Sequence, residues 1–230
     1  MALDEALLDD VAESPMSAIF RTYGWTVPTL SLGYFQSIAE VEADPRWRGV
    51  PLVRRPTGGG ALWHHHEITY ALVVPRSDPR AHPSQALYRA VHTAIADVIR
   101  SQGLEADRRG EGGPGGMTRP FLCFTDRDAE DIVSSGAKLV GSAQRRRAGA
   151  VLQHGSLLLA RSSITPDLPG AANLGRVSPD ILFWSSLLRV QVPQALGFQI
   201  EETPVSSRAL ELAAELEEEV YRCQSWIRRR

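Results

Sequence analysis

Residues 136–147 read GAKLVGSAQRRR, and Lys138 within them is the only lysine of the 230-residue chain. Of the 25 basic residues all the others are arginine. Chance retention is the plain explanation of a single lysine, and chemistry offers a second. Arginine is planar and permanently charged, whereas lysine is a compact ammonium on a flexible stem that can give up its proton. A site that needs a point charge, or a group that trades a proton, cannot use arginine instead. AKLVG itself has the pattern of a short strand.

Working outward, FLCF (121–124), AEDIVSS (129–135) and AVLQHGSLLLA (150–160) are predicted as further strands. Upstream, SAIFRTYGW, PTLSLGYF, VPLVRR and EITYALVVP have the same character, with Leu30, Leu32 and Tyr34 alternating against smaller residues. PTGGGALWHHH (56–66) connects the last two. MALDEALLDDVAES carries Leu3, Leu7 and Val11 on one helical face and stops before Ser14-Pro15. Residues 84–101 place Leu87, Val91, Ile95 and Val98 at helical spacing. The C-terminal SSRALELAAELEEEVYRCQSWIRRR is predicted as one helix with the stripe Leu212, Leu216, Val220, Cys223 and Ile227. Residues 103–120 hold so much glycine and charge that a mobile loop is expected, and 165–180 read as a turn-rich link. No repeat, second domain boundary or sustained strand–helix alternation is visible. The expected class is α+β, with mixed or antiparallel sheets flanked by helices, in a single domain spanning 1–230.

An apolar fraction of 43%, a charged fraction of 23% and a net charge of −2 are those of an ordinary globular protein and give no argument for nucleic acid. No run approaches the ~18 apolar residues of a spanning helix, and no signal-peptide pattern opens the chain. Two cysteines are too few for a disulfide scaffold. A cytoplasmic protein with no membrane contact is expected.

The two cysteines differ in setting. Cys223 falls on the apolar stripe of the last helix and reads as core filler. Cys123, in RPFLCF, is either core or nucleophile, a choice its flanking residues leave open. A thiol becomes a good nucleophile when its pKa falls from ~8.5 toward neutrality, as beside an ammonium. Cys123 precedes Lys138 by 15 residues, enough for strand pairing to bring them together. Gly58, Gly59 and Gly60 either form a tight turn or let backbone N–H groups approach a ligand, and they match neither phosphate-loop nor dinucleotide-loop spacing. His64, His65 and His66 point different ways in any strand or turn, and no metal site is expected of them. His154 is expected where Gly155 interrupts a strand, facing a ligand; His82 and His92 are expected on the surface or a helix face.

Taken in order, MALDEALL, PTLSLGYFQ, RRPTGGGALWHHHEITY, GAKLVGSAQRR and LQHGSLLL resemble the biotin/lipoate protein ligase superfamily, from residue 1 to about 160. The resemblance implies an acyl or acyl-adenylate pocket lined by Arg55, Thr57, Gly58, Gly59, Gly60 and His64 on one side. Gly141, Ser142, His154 and Gly155 match the motif positions on the other. Lys138 matches the active-site lysine, which contacts the acyl carbonyl or a phosphate beside it. The Cys123-Phe124 pair ahead of the lysine strand is similar to that of cysteine-dependent octanoyltransferases. The end at residue 230, without the accessory domain many ligases add, is expected of that branch too.

This implies an enzyme moving an octanoyl group from acyl carrier protein, through a Cys123 thioester, to a lysine of a lipoyl domain or a glycine-cleavage H-type protein. No cofactor is then required. An ATP- and Mg²⁺-dependent lipoate or octanoate ligase, one subunit of a split ligase, a lipoyl amidotransferase and a non-catalytic acyl-binding relative are the alternatives. Arg145, Arg146 and Arg147, with Arg228 to Arg230, are candidate docking patches for an acidic carrier, or simply solvated charge.

Overall fold

EITYALVVP forms β5 (Glu67–Pro75), all nine of its residues buried. A strand apolar on both faces must lie inside a sheet with both faces covered. In the computed structural model, which describes residues 1–14, 17–110, 120–125, 128–147 and 149–229, β5 does so. It pairs antiparallel with β1 (Ile19–Tyr23) on one side and with β9 (Ala150–Leu158) on the other. Beyond β9 come β8 (Ala137–Arg146), β7 (Ile132–Ser134) and β6 (Asp107–Arg108), completing a six-stranded antiparallel sheet. A smaller sheet sets β2 (Thr29–Leu32) parallel to β3 (Leu52–Arg54) and antiparallel to β4 (Leu62–His64). The α+β class with mixed and antiparallel sheets stands.

Helices cover both faces of the large sheet. Tyr70, Leu72 and Val74 face α3 (Ser84–Ser101) and α5 (Ile181–Ala195), through Leu87, Val91, Ile95, Ile99, Trp184 and Leu188. Ala71 and Val73 face α1 (Ala2–Glu13), through Leu7, Leu8 and Val11. Each of these larger side chains gains roughly 1.5–3 kcal/mol on burial. Two short helices complete the inventory before the C-terminus, α2 (Ile38–Ala43) and α4 (Ala171–Leu174). No helix among the described residues is long and apolar enough to cross a membrane.

Several expectations need correction. FLCF is not a strand: it makes one isolated bridge, Ala61 to Leu122, with Ala61 N–H donating to the Phe121 carbonyl and Cys123 N–H to that of Ala61. LWH, expected within a connection, is β4. Of the glycine-rich 103–120, Leu104 and Ala106 are buried in the main core and Asp107–Arg108 is a strand; 111–119 lie outside the described residues. The C-terminal helix is not continuous. α6 (Ser207–Leu216) widens into a π turn at Glu217–Tyr221, and α7 (Gln224–Ile227) starts afresh from Cys223. The expected stripe is half-buried except for Ile227; Ala209 and Tyr221 are the other buried contacts. The break lets α6 lie along α1 while Ile227 and Trp226 reach the buried Arg54.

Candidate active site

Register places the lysine. β7 pairs β8 with an irregularity between Ile132 and Val133, setting Lys138 opposite Val133. The Lys138 side chain is only 3% exposed, and its Nζ donates to Asp131 Oδ2 at 2.7 Å and to the Cys123 carbonyl at 3.0 Å. Cys123 Sγ lies 3.7 Å from the same nitrogen. Burial works against the ammonium, but the adjacent Cys123 and Asp131 more than offset it, and the Lys138 pKa is raised. Gly141 makes room: a Cβ there would sit 2.6 Å from Lys138 Cε.

The glycine run wraps Arg55 instead of closing a hairpin. The guanidinium donates to the carbonyls of Gly58 at 3.0 Å and Gly60 at 2.7 Å, and to the Ser31 carbonyl and hydroxyl, both at 2.9 Å. Gly59 adopts φ +94°, a left-handed conformation that glycine takes without strain. At Gly60 a side chain would collide with Cys123 N at 2.8 Å, so glycine there permits the approach that carries the thiol into the site.

His64 and His154 occupy the walls, each between a carboxylate and a hydroxyl. His64 Nδ1 lies 3.0 Å from Glu67 Oε1, its Nε2 lies 2.8 Å from Ser31 Oγ, and its ring stacks on Trp25 at 4.0 Å. His154 Nδ1 lies 3.3 Å from Asp4 Oδ2 and its Nε2 2.7 Å from Thr57 Oγ1. Burial lowers both histidine pKa values. Burial would raise that of Asp4, but the hydrogen bond from His154 and the charge of Arg21 hold it well below the usual range. β9 runs unbroken through His154 and Gly155, contrary to the expected interruption, because Gly155 faces Ser142 across the β8–β9 ladder. A Cβ at Gly155 would strike Ser142 Oγ and lie 2.9 Å from Tyr70 Cε1. His65 turns away to Ser162 Oγ at 2.9 Å.

These walls border a cleft partly open to solvent, lined by Arg55, Gly58, Gly59, His64, Cys123, Gly141, Ser142, His154 and Gly155 among others. Thr57 stands behind His154, Gly60 under Cys123, and Lys138 beside the sulfur. The expected site residues therefore converge. Sequence reasoning missed their supports: Asp4, Ser31, Glu67, Asp131 and His92. Asp131 and Glu67 had a signal, each an acid within a strand pattern. His92, expected on a surface or helix face, is fully buried, with Nδ1 2.5 Å from the Glu130 carbonyl and Nε2 2.6 Å from Ser142 Oγ.

The arginine patches change meaning. Arg145 donates to the Pro56 carbonyl at 2.6 Å and lies 3.4 Å from Glu5, while Arg147 pairs with Glu5 at 2.6 Å and Asp9 at 3.1 Å. Two of that trio clasp β8 to α1, leaving Arg146 exposed. Arg228 pairs with Glu42, Arg229 lies over Tyr34, and Arg230 is outside the described residues.

Known proteins resemble this chain in sequence and in fold. The octanoyltransferase LipM of Geobacillus kaustophilus is 41% identical over 169 residues, covering 69% of this chain and 60% of its own length. That of Macrococcus caseolyticus is 32% identical over an alignment covering all of this chain and 94% of its own. The structure of Ta0514 from T. acidophilum, with bound lipoic acid, superposes with a TM-score of 0.80 at 24% identity, over 99% of this chain and 92% of that one, a likeness of fold. Residues 1–165 match the lipoyl protein ligase A/B catalytic domain. The chain belongs to that family, in its octanoyltransferase branch.

Proposed function

We propose that this acyltransferase carries an octanoyl group on Cys123, taking it from acyl carrier protein and giving it to a lysine of a lipoyl domain or a glycine-cleavage H-type protein. The observation that carries the reading is the single ammonium of Lys138, in contact with both the sulfur and the carbonyl of Cys123.

In the first half, the Cys123 sulfur attacks the donor thioester carbonyl. Lys138 stands where it balances negative charge on the sulfur and on the developing oxyanion. The C–S bond to the donor breaks and the donor leaves as a thiol, taking the proton that Cys123 gave up. In the second half the acceptor amine attacks the acyl-enzyme, its C–N bond replaces the bond to Cys123, and the departing sulfur takes a proton from nitrogen. Exchange of one thioester for another costs little and amide formation from a thioester runs downhill. Neither half calls for ATP or a metal. In this reading residues 1–230 act as one catalytic domain, in the cytoplasm.

The test is intact mass after mixing the protein with octanoyl acyl carrier protein in the absence of ATP. An octanoyl adduct on wild type, absent from Cys123→Ala and released by hydroxylamine, is expected. No adduct on either protein, with modification of the acceptor only when ATP, Mg²⁺ and free octanoate are supplied, would replace the transferase with a ligase.

A further inference from the structure

Lys138 and Gly141 lie three residues apart on β8, a spacing that sets side chains on opposite faces of a regular strand. Yet a Cβ at Gly141 would lie 2.6 Å from Lys138 Cε, so the two share a face. A bulge is the cause. Ile132 pairs with Val140 but Val133 with Lys138, which leaves Leu139 as an extra residue without a partner on β7. Beyond it β8 runs in step with β9 and β5. Val140, Leu157 and Ile68 turn to the α3 core, while Gly141, Ser156 and Thr69 line the cleft. Leu139 stays in the α3 core, and the extra residue carries Lys138 over to the cleft face.

A bulge places the lysine but does not hold the end of its flexible four-carbon stem. Asp131 does. Its Oδ1 lies 3.6 Å from the Cβ position of Gly141, on the same face. Three hydrogen bonds fix the aspartate itself. Its N–H donates to the Asp128 carbonyl at 3.2 Å, and its carbonyl accepts from Arg109 N–H at 2.8 Å. Its Oδ2 accepts from Asp128 N–H at 2.6 Å. The same Oδ2 takes the Lys138 ammonium at 2.7 Å, with side chains only 2% and 3% exposed. From there Nζ reaches the carbonyl of Cys123 at 3.0 Å and its sulfur at 3.7 Å.

We infer that Asp131 is the positioning residue of the transfer: it holds the bulge-directed Lys138 charged and aimed at Cys123. The inference rests on the acyl-enzyme reading above and gives its cation a counter-charge. Around this pair stand Cys123, with Arg55 acting on the same residue, Asp128 beside Asp131, and Tyr88 and His92 of α3, which burial keeps neutral. Removing the Asp131 charge takes away a partner that favours the ammonium while the burial that opposes it remains. The lysine then gives up its proton at lower pH.

Because Lys138 is the only lysine of the chain, isotope-labelled lysine yields one side-chain NMR signal, and its titration reads this ammonium directly. In wild type the midpoint lies above the ordinary lysine value of 10.5. In Asp131→Asn, which keeps the shape and removes the charge, it falls by about 1–3 pH units, the effect of one opposite charge at this range. Single-turnover acylation by octanoyl acyl carrier protein is followed in parallel from about pH 6 to 9.5. It rises to a plateau in wild type and passes through a maximum in Asp131→Asn, as the thiolate forms and the ammonium is then lost. A merely weakened fold lowers the rate without bending the profile. An unmoved lysine midpoint, or a profile of wild-type shape, overturns the inference. Should Asp131→Asn fail to fold, the wild-type signal decides: a midpoint below 10.5 overturns the inference and one above supports it. Wild type that never takes up the octanoyl group overturns the acyl-enzyme reading instead, a result separate from the lysine titration, which needs no substrate.

Discussion

At Lys138 one ammonium meets a carboxylate, a carbonyl and a sulfur within 3.7 Å, in a slot only 3% exposed. The larger planar fork of arginine does not fit there. Lys138→Arg is therefore expected to slow octanoyl transfer to Cys123 by roughly 10²–10³, as loss of one oxyanion donor does elsewhere; quench-flow mass spectrometry reads the rate, and near-normal acylation would show that charge alone suffices. Gly141→Ala probes the same slot from behind, since the added methyl would lie 2.6 Å from Lys138 Cε and 3.0 Å from Nζ. Overpacking costs about 1–3 kcal/mol, and displacement of the ammonium adds a kinetic loss beyond it. Denaturant midpoints alongside acylation rates separate the two effects.

Among the elements, the C-terminal turn depends on a side chain far away in sequence. Arg54 of β3, fully buried, donates to the carbonyls of Gly33 and Gln36, each at 2.8 Å, and of Ile227 and Arg229, each at 3.0 Å. The arginine thus fastens α7 to the loop after β2, next to the segment that leads into the glycine run. Arg54→Met is expected to destabilise the fold by about 3 kcal/mol or more, because several buried carbonyls lose their donor at once. Trypsin should then cut after Arg222 sooner than it cuts the wild type. Unchanged cleavage there would mean that α7 is held by packing of Trp226 and Ile227 alone.

The whole molecule buries three histidines beside one cleft, and all three have lowered pKa values: His64, His92 and His154. The unfolded chain binds protons at these positions near the ordinary histidine value of 6.5, while the fold keeps His92 neutral down to about 4. Stability is therefore full above pH 6.5 and falls as pH drops toward 4, with His92 alone accounting for about 3 kcal/mol. Asp4 acts in the same direction at lower pH, because its carboxyl is held below 3.8 in the fold. Urea midpoints between pH 7.5 and 4.5 should decline steadily in wild type and less steeply in His92→Phe. Equal slopes would mean that His92 is protonated in the fold.

Local periodicity determined much of this protein. α1, α3 and five of the longer strands follow from side-chain spacing, because one element's burial pattern is printed in its own residues. The lone lysine, the cysteine before it and the glycine run marked which residues to watch, since few side chains can replace them chemically. Residues 181–195 drew no prediction, although Trp184, Leu188 and Val192 repeat the four-residue spacing seen in α3; α5 forms there around an internal Pro193 because those side chains find the α3 face of the sheet, a partner that local spacing does not name. The same limit hid Asp4, 150 positions from the histidine it holds, and His92, which reads as an ordinary helix residue until Glu130 and Ser142 are brought to its ring. Sequence fixed which groups were available. Only the tertiary structure decided which hydroxyl faces which imidazole, because hydrogen-bond direction depends on partners that meet through sheet register and packing, not through adjacency in the chain.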